Sequence, residues 1–274
     1  MRITSFLFIT VLFISVYSCN NEPTPKSKKL NLPKAKPTAY YKFSVDQRLP
    51  HSNNSFTEGL LFHKGQLFES TGSPDDLPNT QSVYGVVDSL TGQIDIHNTL
   101  EAKYFGEGMC ILNNQVYQLT YKSRKGFVYD LESKEKIRSF QLPTMEGWGL
   151  TTDGESLIMT DGTPNLHFMD PITLEKTGTV KVFDNGRPVR YLNEVEYVDG
   201  FIYANVFTTD WILKIDVETG KVVGRLDVTD LKLEEDKLSS KALETNGIAY
   251  NPETNQFYIT GKMWKNIYVI SLFE

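Results

Sequence analysis

The sequence predicts an all-β fold: a five-bladed β-propeller whose ring is closed by an N-terminal strand pairing with the last blade. Three observations predict it. First, one short grammar occurs five times, with polar or aromatic residues just ahead of a small or apolar run: Phe56-Thr57-Glu58-Gly59-Leu60-Leu61, Phe105-Gly106-Glu107-Gly108-Met109-Cys110, Gly147-Trp148-Gly149-Leu150, Leu192-Asn193-Glu194-Val195 and Thr245-Asn246-Gly247-Ile248. Second, the steps from Glu58 through Glu107, Trp148 and Asn193 to Asn246 are 49, 41, 45 and 53 residues, the length of a four-stranded blade. Third, the last repeat supplies three strands where four are needed, and an alternating segment, Tyr40 to Leu49, stands ahead of the first repeat. Pairing these two ends removes the open sheet edges.

The chain begins with a segment that is not propeller. Residues 1 to 18 carry Arg2, an apolar core from Phe6 to Val16, and Ser18 just before Cys19. This pattern reads as an export signal, too short to span a bilayer comfortably. Val16-Tyr17-Ser18-Cys19 resembles the lipobox of bacterial lipoproteins, in which the cysteine is lipidated and becomes the first residue of the mature chain. The next stretch, Asn20 to Ala39, holds four prolines, five lysines and one acid, so it reads as an extended tether that buries no core. The expected organisation is a signal peptide over 1–18, a lipid-anchored tether over 19–39 and a propeller domain over 40–274. The expected location is the bacterial envelope, with Cys19 holding the protein to the membrane, on either the periplasmic or the outer face. With Cys19 modified, Cys110 stands alone and no disulfide is expected. Its apolar neighbours Met109, Ile111 and Leu112 make Cys110 a buried structural thiol.

The blades follow in order. In the second repeat, Gly108 to Leu112, Gln115 to Thr120, Gly126 to Asp130 and Lys136 to Gln141 are short runs parted by turn formers such as Asn113-Asn114. The third reuses Asp153-Gly154 and Asp161-Gly162. The fourth is plainest: Val195 to Val198, Phe201 to Asn205, Trp211 to Asp216 and Val222 to Asp227 are punctuated by the hairpin signals Asp199-Gly200 and Thr219-Gly220. The last gives Ile248 to Tyr250, Gln256 to Thr260 and Asn266 to Leu272.

Composition narrows the function classes. The chain has 274 residues, 40% apolar and 23% charged, with a net charge of −6. Such a balance suits a soluble all-β domain and gives no reason to bind nucleic acid. If each motif opens the innermost strand of its blade, Glu58, Glu107, Trp148, Asn193 and Asn246 meet around one mouth of the central channel. Taken singly, such residues also cap loops through local hydrogen bonds. The shared phase of all five points to a site.

At these residues a family resemblance enters. Phe56-Thr57-Glu58-Gly59, Phe68-Glu69-Ser70-Thr71-Gly72, Phe105-Gly106-Glu107-Gly108, Gly147-Trp148-Gly149, Asp161-Gly162-Thr163, Asn185-Gly186-Arg187-Pro188, Leu192-Asn193-Glu194, Asn246-Gly247-Ile248-Ala249 and Gly261-Lys262-Met263-Trp264 come in the order and spacing of the plant and bacterial glutaminyl cyclases of the propeller type. The resemblance covers about residues 40 to 272. It implies cyclisation of an N-terminal glutamine to pyroglutamate with release of ammonia, on peptides or proteins that begin with glutamine. A single carboxylate near both nitrogens is able to take the proton from one and give it to the other, and Glu107 matches the acidic residue of the family's motif. Lys262 and Asn193 match pocket positions suited to the negative oxygen of the intermediate. Phe56, Phe105, Tyr121, Trp148 and Phe207 are the expected walls, with Glu58 beside them; ordinary core packing is the plain alternative for each aromatic.

Three departures stand out. Glu58 occupies a position where relatives commonly carry glutamine, which sets a second carboxylate near Glu107 and raises the pKa of one of the pair. Tyr121 and Phe207 stand where relatives tend to place tryptophan. Residues 72 to 79 lengthen a loop at the entrance. No cofactor is expected, although a structural calcium ion in the channel is compatible with the oxygen donors. The four histidines, His51, His63, His97 and His167, fall in no zinc-ligand spacing and read as surface or turn residues. Two other readings remain at this point: a calcium-dependent propeller hydrolase of lactonase type, using Glu58, Glu107, Asn193 and Asn246 as ligands, and a lipoprotein that only binds peptides. A monomer is the expected state.

Overall fold

The computed structural model describes residues 38–273; the signal segment, Cys19 and residues 19–37 of the expected tether lie outside them. Strands dominate. β1 (Ala39–Pro50) is followed by β2 (Phe56–His63), β3 (Gln66–Gly72), β4 (Val83–Val87) and β5 (Ile94–Thr99), the last four forming one antiparallel sheet. β6 (Gly106–Leu112), β7 (Gln115–Thr120), β8 (Lys125–Asp130) and β9 (Lys136–Gln141) form the next, and β10 (Leu150–Thr152), β11 (Leu157–Met159), β12 (Asn165–Met169) and β13 (Lys176–Lys181) the third. A two-stranded ribbon, β14 (Phe183–Asp184) and β15 (Arg187–Pro188), leads to β16 (Leu192–Val198), β17 (Phe201–Val206), β18 (Trp211–Asp216) and β19 (Val222–Asp227). Helix α1 (Thr229–Leu238) precedes β20 (Thr245–Asn251), β21 (Gln256–Gly261) and β22 (Asn266–Phe273).

Local sequence explains the hairpins. β2 turns into β3 through Lys64-Gly65, β6 into β7 through Asn113-Asn114 and β16 into β17 through Asp199-Gly200. In all three pairs both residues have positive φ, from 48° to 84°, the two-residue turn whose twist matches the strands. The strands expected from the second, fourth and last repeats are present, lengthened by up to three residues at their ends. Ala39, placed by the sequence in the tether, begins β1.

β1 completes the last sheet as expected, running antiparallel to β22 from Lys42 opposite Phe273 to Pro50 opposite Asn266. It also does something the sequence did not reveal. Residues Ala39 to Tyr41 pair parallel with Gly224 to Leu226 of β19, so the last two sheets join into one of eight strands in the order β16-β17-β18-β19-β1-β22-β21-β20. The first strand of each sheet lies inside: β2 neighbours β6 and β20, β6 neighbours β10, β10 neighbours β16, and β16 neighbours β20. The arrangement is propeller-like. Apolar residues fill the space between neighbouring sheets. Tyr117, Leu119, Leu157 and Met159 pack between the second and third, Ile158, Leu192 and Ile202 between the third and fourth, and Leu60, Leu67 and Ala249 between the first and last.

The motif glycines let the inner strands approach closely. A Cβ at Gly108 would meet Leu150 N at 2.5 Å, and one at Gly149 would meet Asn193 O at 2.3 Å, so no side chain fits there. The fourth repeat has Glu194 at this position. Its carboxylate reaches across the centre, accepting Leu60 N–H of β2 at 3.3 Å and Ile248 N–H of β20 at 2.8 Å. Two residues along, Glu196 accepts the Tyr250 N–H at 3.0 Å. Burial, with the charge of Glu196 next in size, pushes Glu194 well above the usual carboxylate range, and burial pushes Glu196 up to about 8.

Two expectations need correction. His51 and His167 are buried rather than on the surface. The Nε2 of His51 lies 3.1 Å from both Glu69 oxygens, and its Nδ1 donates to Trp264 O at 2.9 Å; burial works against its charge, but the Glu69 carboxylate, the Trp264 carbonyl and the charge of Glu235 together raise its pKa. His167 stands 3.1 Å from Asp161. Cys110 is buried as expected, with burial pushing its thiol up. Helix α1 was not legible either, because its polar sequence buries only Leu231 and Glu235. Glu235 carries the helix's tertiary role: it accepts from Lys265 N at 2.7 Å, Asn266 Nδ2 at 2.6 Å and Tyr268 Oη at 2.8 Å.

Two outcomes follow from Glu235 and Glu196. Glu235→Ala strands three donors inside the fold, and urea unfolding is expected to show a loss of about 3 kcal/mol with the slope unchanged. Glu196 has a folded pKa of about 8 against an ordinary 4.5, so the folded state holds more protons between those values. Its contribution to stability is complete below pH 4.5 and is lost as pH rises towards 8. Unfolding at pH 5 and pH 8 should therefore show lower stability at pH 8, and Glu196→Gln should shrink the difference by about 3 kcal/mol.

Candidate active site

The inner strands deliver the five motif residues to one end of the centre. Glu58 is the third residue of β2, Glu107 the second of β6, Asn193 the second of β16 and Asn246 the second of β20, while Trp148 lies two residues before β10. A cavity of about 300 Å³ opens there, lined by Phe56, Glu58, Phe105, Glu107, Tyr121, Trp148, Asn193, Phe207 and Lys262, together with Pro74. Every catalytic and substrate-binding residue expected from the sequence lies on its wall. Asn246 does not; it stands behind, as a support.

The aromatic wall is continuous. Phe56 meets Phe105 at 5.9 Å between ring centroids, Phe105 meets Tyr121 at 5.9 Å, Tyr121 meets Trp148 at 6.5 Å and Trp148 meets Phe207 at 5.8 Å. The tilted and edge-on geometries are those aromatic quadrupoles prefer. Lys262 closes the circuit, its Nζ 4.5 Å from the Phe56 ring centre and 5.6 Å from that of Phe207. Two glycines make room for the rings: a Cβ at Gly72 would fall 2.2 Å from Phe105, and one at Gly162 would fall 2.7 Å from Trp148.

The polar groups form a chain with one free end. Lys262 Nζ donates to Glu58 Oε1 at 2.7 Å, and the other Glu58 oxygen accepts from Asn246 Nδ2 at 3.1 Å. Asn246 also donates to Thr57 O and accepts from Asn193 Nδ2, both at 2.9 Å. Among the described residues, the Glu107 side chain makes no hydrogen bond; its backbone carbonyl is held by Ser70 Oγ at 2.6 Å. Burial pushes Glu58 up to about 7 against the opposing pull of Lys262. Burial also raises Glu107 well above the usual range, the charge of Glu58 adds to this, and Lys262 offsets only part. Burial disfavours the Lys262 ammonium, yet Glu58 and Glu107 together raise its pKa. The Lys262 ammonium therefore sits on Glu58, and burial together with the charge of Glu58 favours the protonated form of Glu107.

This donor set does not suit a hard cation. Glu58, Glu107, Asn193 and Asn246 offer oxygens, but an ammonium already sits on Glu58, and among the described residues no three or more His, Cys, Asp or Glu side chains cluster as metal ligands would. The arrangement is suited instead to moving a proton between two nearby atoms of a small polar group enclosed by aromatic walls.

Two acids near the cavity carry no signal strong enough to single them out from sequence. Glu146 accepts the Trp148 indole N–H at 3.0 Å and adds to the negative field at Glu107. Glu244 acts on both Glu58 and Lys262, and its carbonyl accepts the Lys262 N–H at 2.9 Å. For Glu146 the one hint is its place two residues before the motif tryptophan; Glu244 has none. The lengthened loop after β3 does reach the entrance, through Pro74.

Comparison with known proteins places the chain among relatives. A curated glutaminyl-peptide cyclotransferase from Arabidopsis thaliana is 37% identical over 230 residues, covering 83% of this chain and 70% of that protein. The crystal structure of the Myxococcus xanthus glutaminyl cyclase superposes with a TM-score of 0.78 at 30% identity, over 86% of this chain and 98% of that one. The model of the glutamine cyclotransferase family matches residues 11–272, and the chain belongs to that family.

Proposed function

We propose that Glu107 carries the proton in the cyclisation this chain catalyses, the conversion of an N-terminal glutamine of a peptide or protein to pyroglutamate with release of ammonia. The observation that carries the assignment is the free, buried carboxyl of Glu107 beside the Lys262–Glu58 pair in a cavity walled by aromatics. The α-amine nitrogen attacks the γ-carboxamide carbon, a C–N bond forms, and the carbonyl oxygen becomes negative. The attacking nitrogen then gives up a proton, the departing nitrogen gains one, and the old C–N bond breaks. A protonated Glu107 donates from one oxygen to the departing nitrogen while its other oxygen accepts from the attacking one. Atoms balance without water, metal or cofactor.

Lys262 and Asn193 are placed to hold the negative oxygen. An ammonium has three donors and a carboxamide two; Lys262 gives one to Glu58 and Asn193 one to Asn246, leaving the others for substrate. Phe56, Phe105, Tyr121, Trp148 and Phe207 fold the flexible glutamine side chain back onto its own amine. Orientation of this kind is worth roughly 7–11 kcal/mol in well-placed intramolecular reactions. Glu58 then serves both partners, since it keeps Lys262 charged and in place while its own charge keeps the proton on Glu107.

We read the ring of inner strands β2, β6, β10, β16 and β20 as the hubs of a five-bladed propeller acting as a monomer, and residues 1–38 as a signal followed by a tether lipidated at Cys19. The support is the blade-length repeat and the lipobox-like Val16-Tyr17-Ser18-Cys19. Glu107→Gln is expected to lower kcat for ammonia release from N-terminal-Gln peptides about 10²–10⁴-fold, with the melting temperature nearly unchanged and the wild-type rate the same in EDTA. Trp148→Ala should chiefly raise KM. Equal kcat for wild type and Glu107→Gln would sink the assignment. Full-length protein expressed in a bacterial host is expected in the membrane fraction, and Cys19→Ser should move it to the soluble fraction of the envelope.

A further inference from the structure

A second cavity, of about 260 Å³, opens between the loop after β3 and the segment after α1. Leu77, Pro78, Leu243 and Met263 give it apolar walls, and Lys241 stands at its side. The cyclisation chemistry makes no use of it.

Two strips of chain join it to the active site. In the first, Pro74 lines the catalytic cavity and Leu77 the second one, and the Leu77 N–H donates to Pro74 O at 3.0 Å, so a single turn carries both. In the second, Lys262 lines the catalytic cavity and its neighbour Met263 the second, while the Leu243 N–H donates to Lys262 O at 2.9 Å. The two cavities therefore share a rim. The loop is held in shape by Thr80 Oγ1 donating to Leu77 O at 2.7 Å and Ser73 Oγ donating to Thr80 O at 3.1 Å.

The substrate's covalent structure dictates what crosses that rim. Ring closure uses the amine nitrogen, Cα and the three side-chain carbons of glutamine, all of which must lie at Glu107. The remaining heavy-atom substituent on Cα is the carbonyl that leads to the next residue, so the rest of the peptide has to leave by the mouth. An extended chain advances about 3.3–3.6 Å per residue, so the residues directly after the glutamine are the ones that stand nearest the shared rim.

We propose that the second cavity is a subsite for an apolar side chain on one of the two residues following the N-terminal glutamine. The proposal rests on the cyclisation reading above. A leucine-sized side chain leaves water for the walls of Leu77, Leu243 and Met263, whereas glycine leaves the cavity unfilled. Such a difference in one hydrophobic pocket is worth roughly tenfold or more in kcat/KM. Because the side chain touches no reacting atom, the gain belongs in KM rather than kcat.

The test compares ammonia release from Gln-Gly-Gly, Gln-Leu-Gly and Gln-Gly-Leu by the full-length protein, by Leu77→Ser and by Leu243→Ser. A preference of about tenfold for one leucine peptide, expressed in KM and reduced to within about twofold by either substitution, is the expected result. Turnover of Gln-Gly-Gly with no leucine preference in the wild type removes the subsite and leaves cyclisation standing, as does a preference that a folded variant retains in full. No ammonia from any of the three peptides removes both.

Discussion

The close approach of the inner strands is the constraint on which the rest of the molecule depends. Backbones that pass within reach of a missing Cβ at Gly108 and Gly149 leave room for little but main chain at the centre. Side chains one position earlier are thereby thrown toward the same end. Glu58 and Glu107 stand immediately before motif glycines, and Trp148 before Gly149, so the glycine that permits the contact also fixes where the functional side chain points. At the fourth strand Glu194 replaces the glycine and binds the N–H groups of two other strands. It ties across the centre what the glycines only bring together.

Within that geometry, electrostatics divides labour between two carboxyls that look alike in sequence. Glu58 has a cation at 2.7 Å and a carboxamide at 3.1 Å; Glu107 has neither. Burial raises both, but only Glu107 also feels a like charge without a compensating contact. Glu58 thus positions an ammonium, and in the mechanism proposed above Glu107 is the acid that holds the transferable proton. Asn246, outside the cavity, takes part by anchoring Glu58 and Asn193 at once.

Much of this was legible because it repeats. The period, the hairpin turns at Asn113-Asn114 and Asp199-Gly200, and the wall residues Glu58, Glu107, Trp148 and Asn193 follow from local patterns that recur at fixed phase, whereas Tyr121, Phe207 and Lys262 came from the family resemblance. What escaped the sequence was held by single, long-range contacts. Helix α1 has too few apolar residues to announce itself and is fixed by Glu235, which bonds residues about thirty positions away. His51 looked like a turn residue, yet its ring is buried against Glu69 and Trp264. Glu244 enters the site's field through a loop with no motif. The parallel pairing of β1 with β19 escaped because three residues with no distinctive pattern form it.

β1 carries a kinetic consequence. Its partners in β19 and β22 lie some 180 to 230 positions farther along the chain, so the strand has nothing to pair with until nearly the whole chain is in place. Contacts of such sequence separation close late and slowly. Until then β22, β19 and β1 each offer an unpaired edge, the kind of surface that recruits other chains. The strand that joins the last two sheets is thus also the one whose docking decides how long the unfinished ring stays sticky.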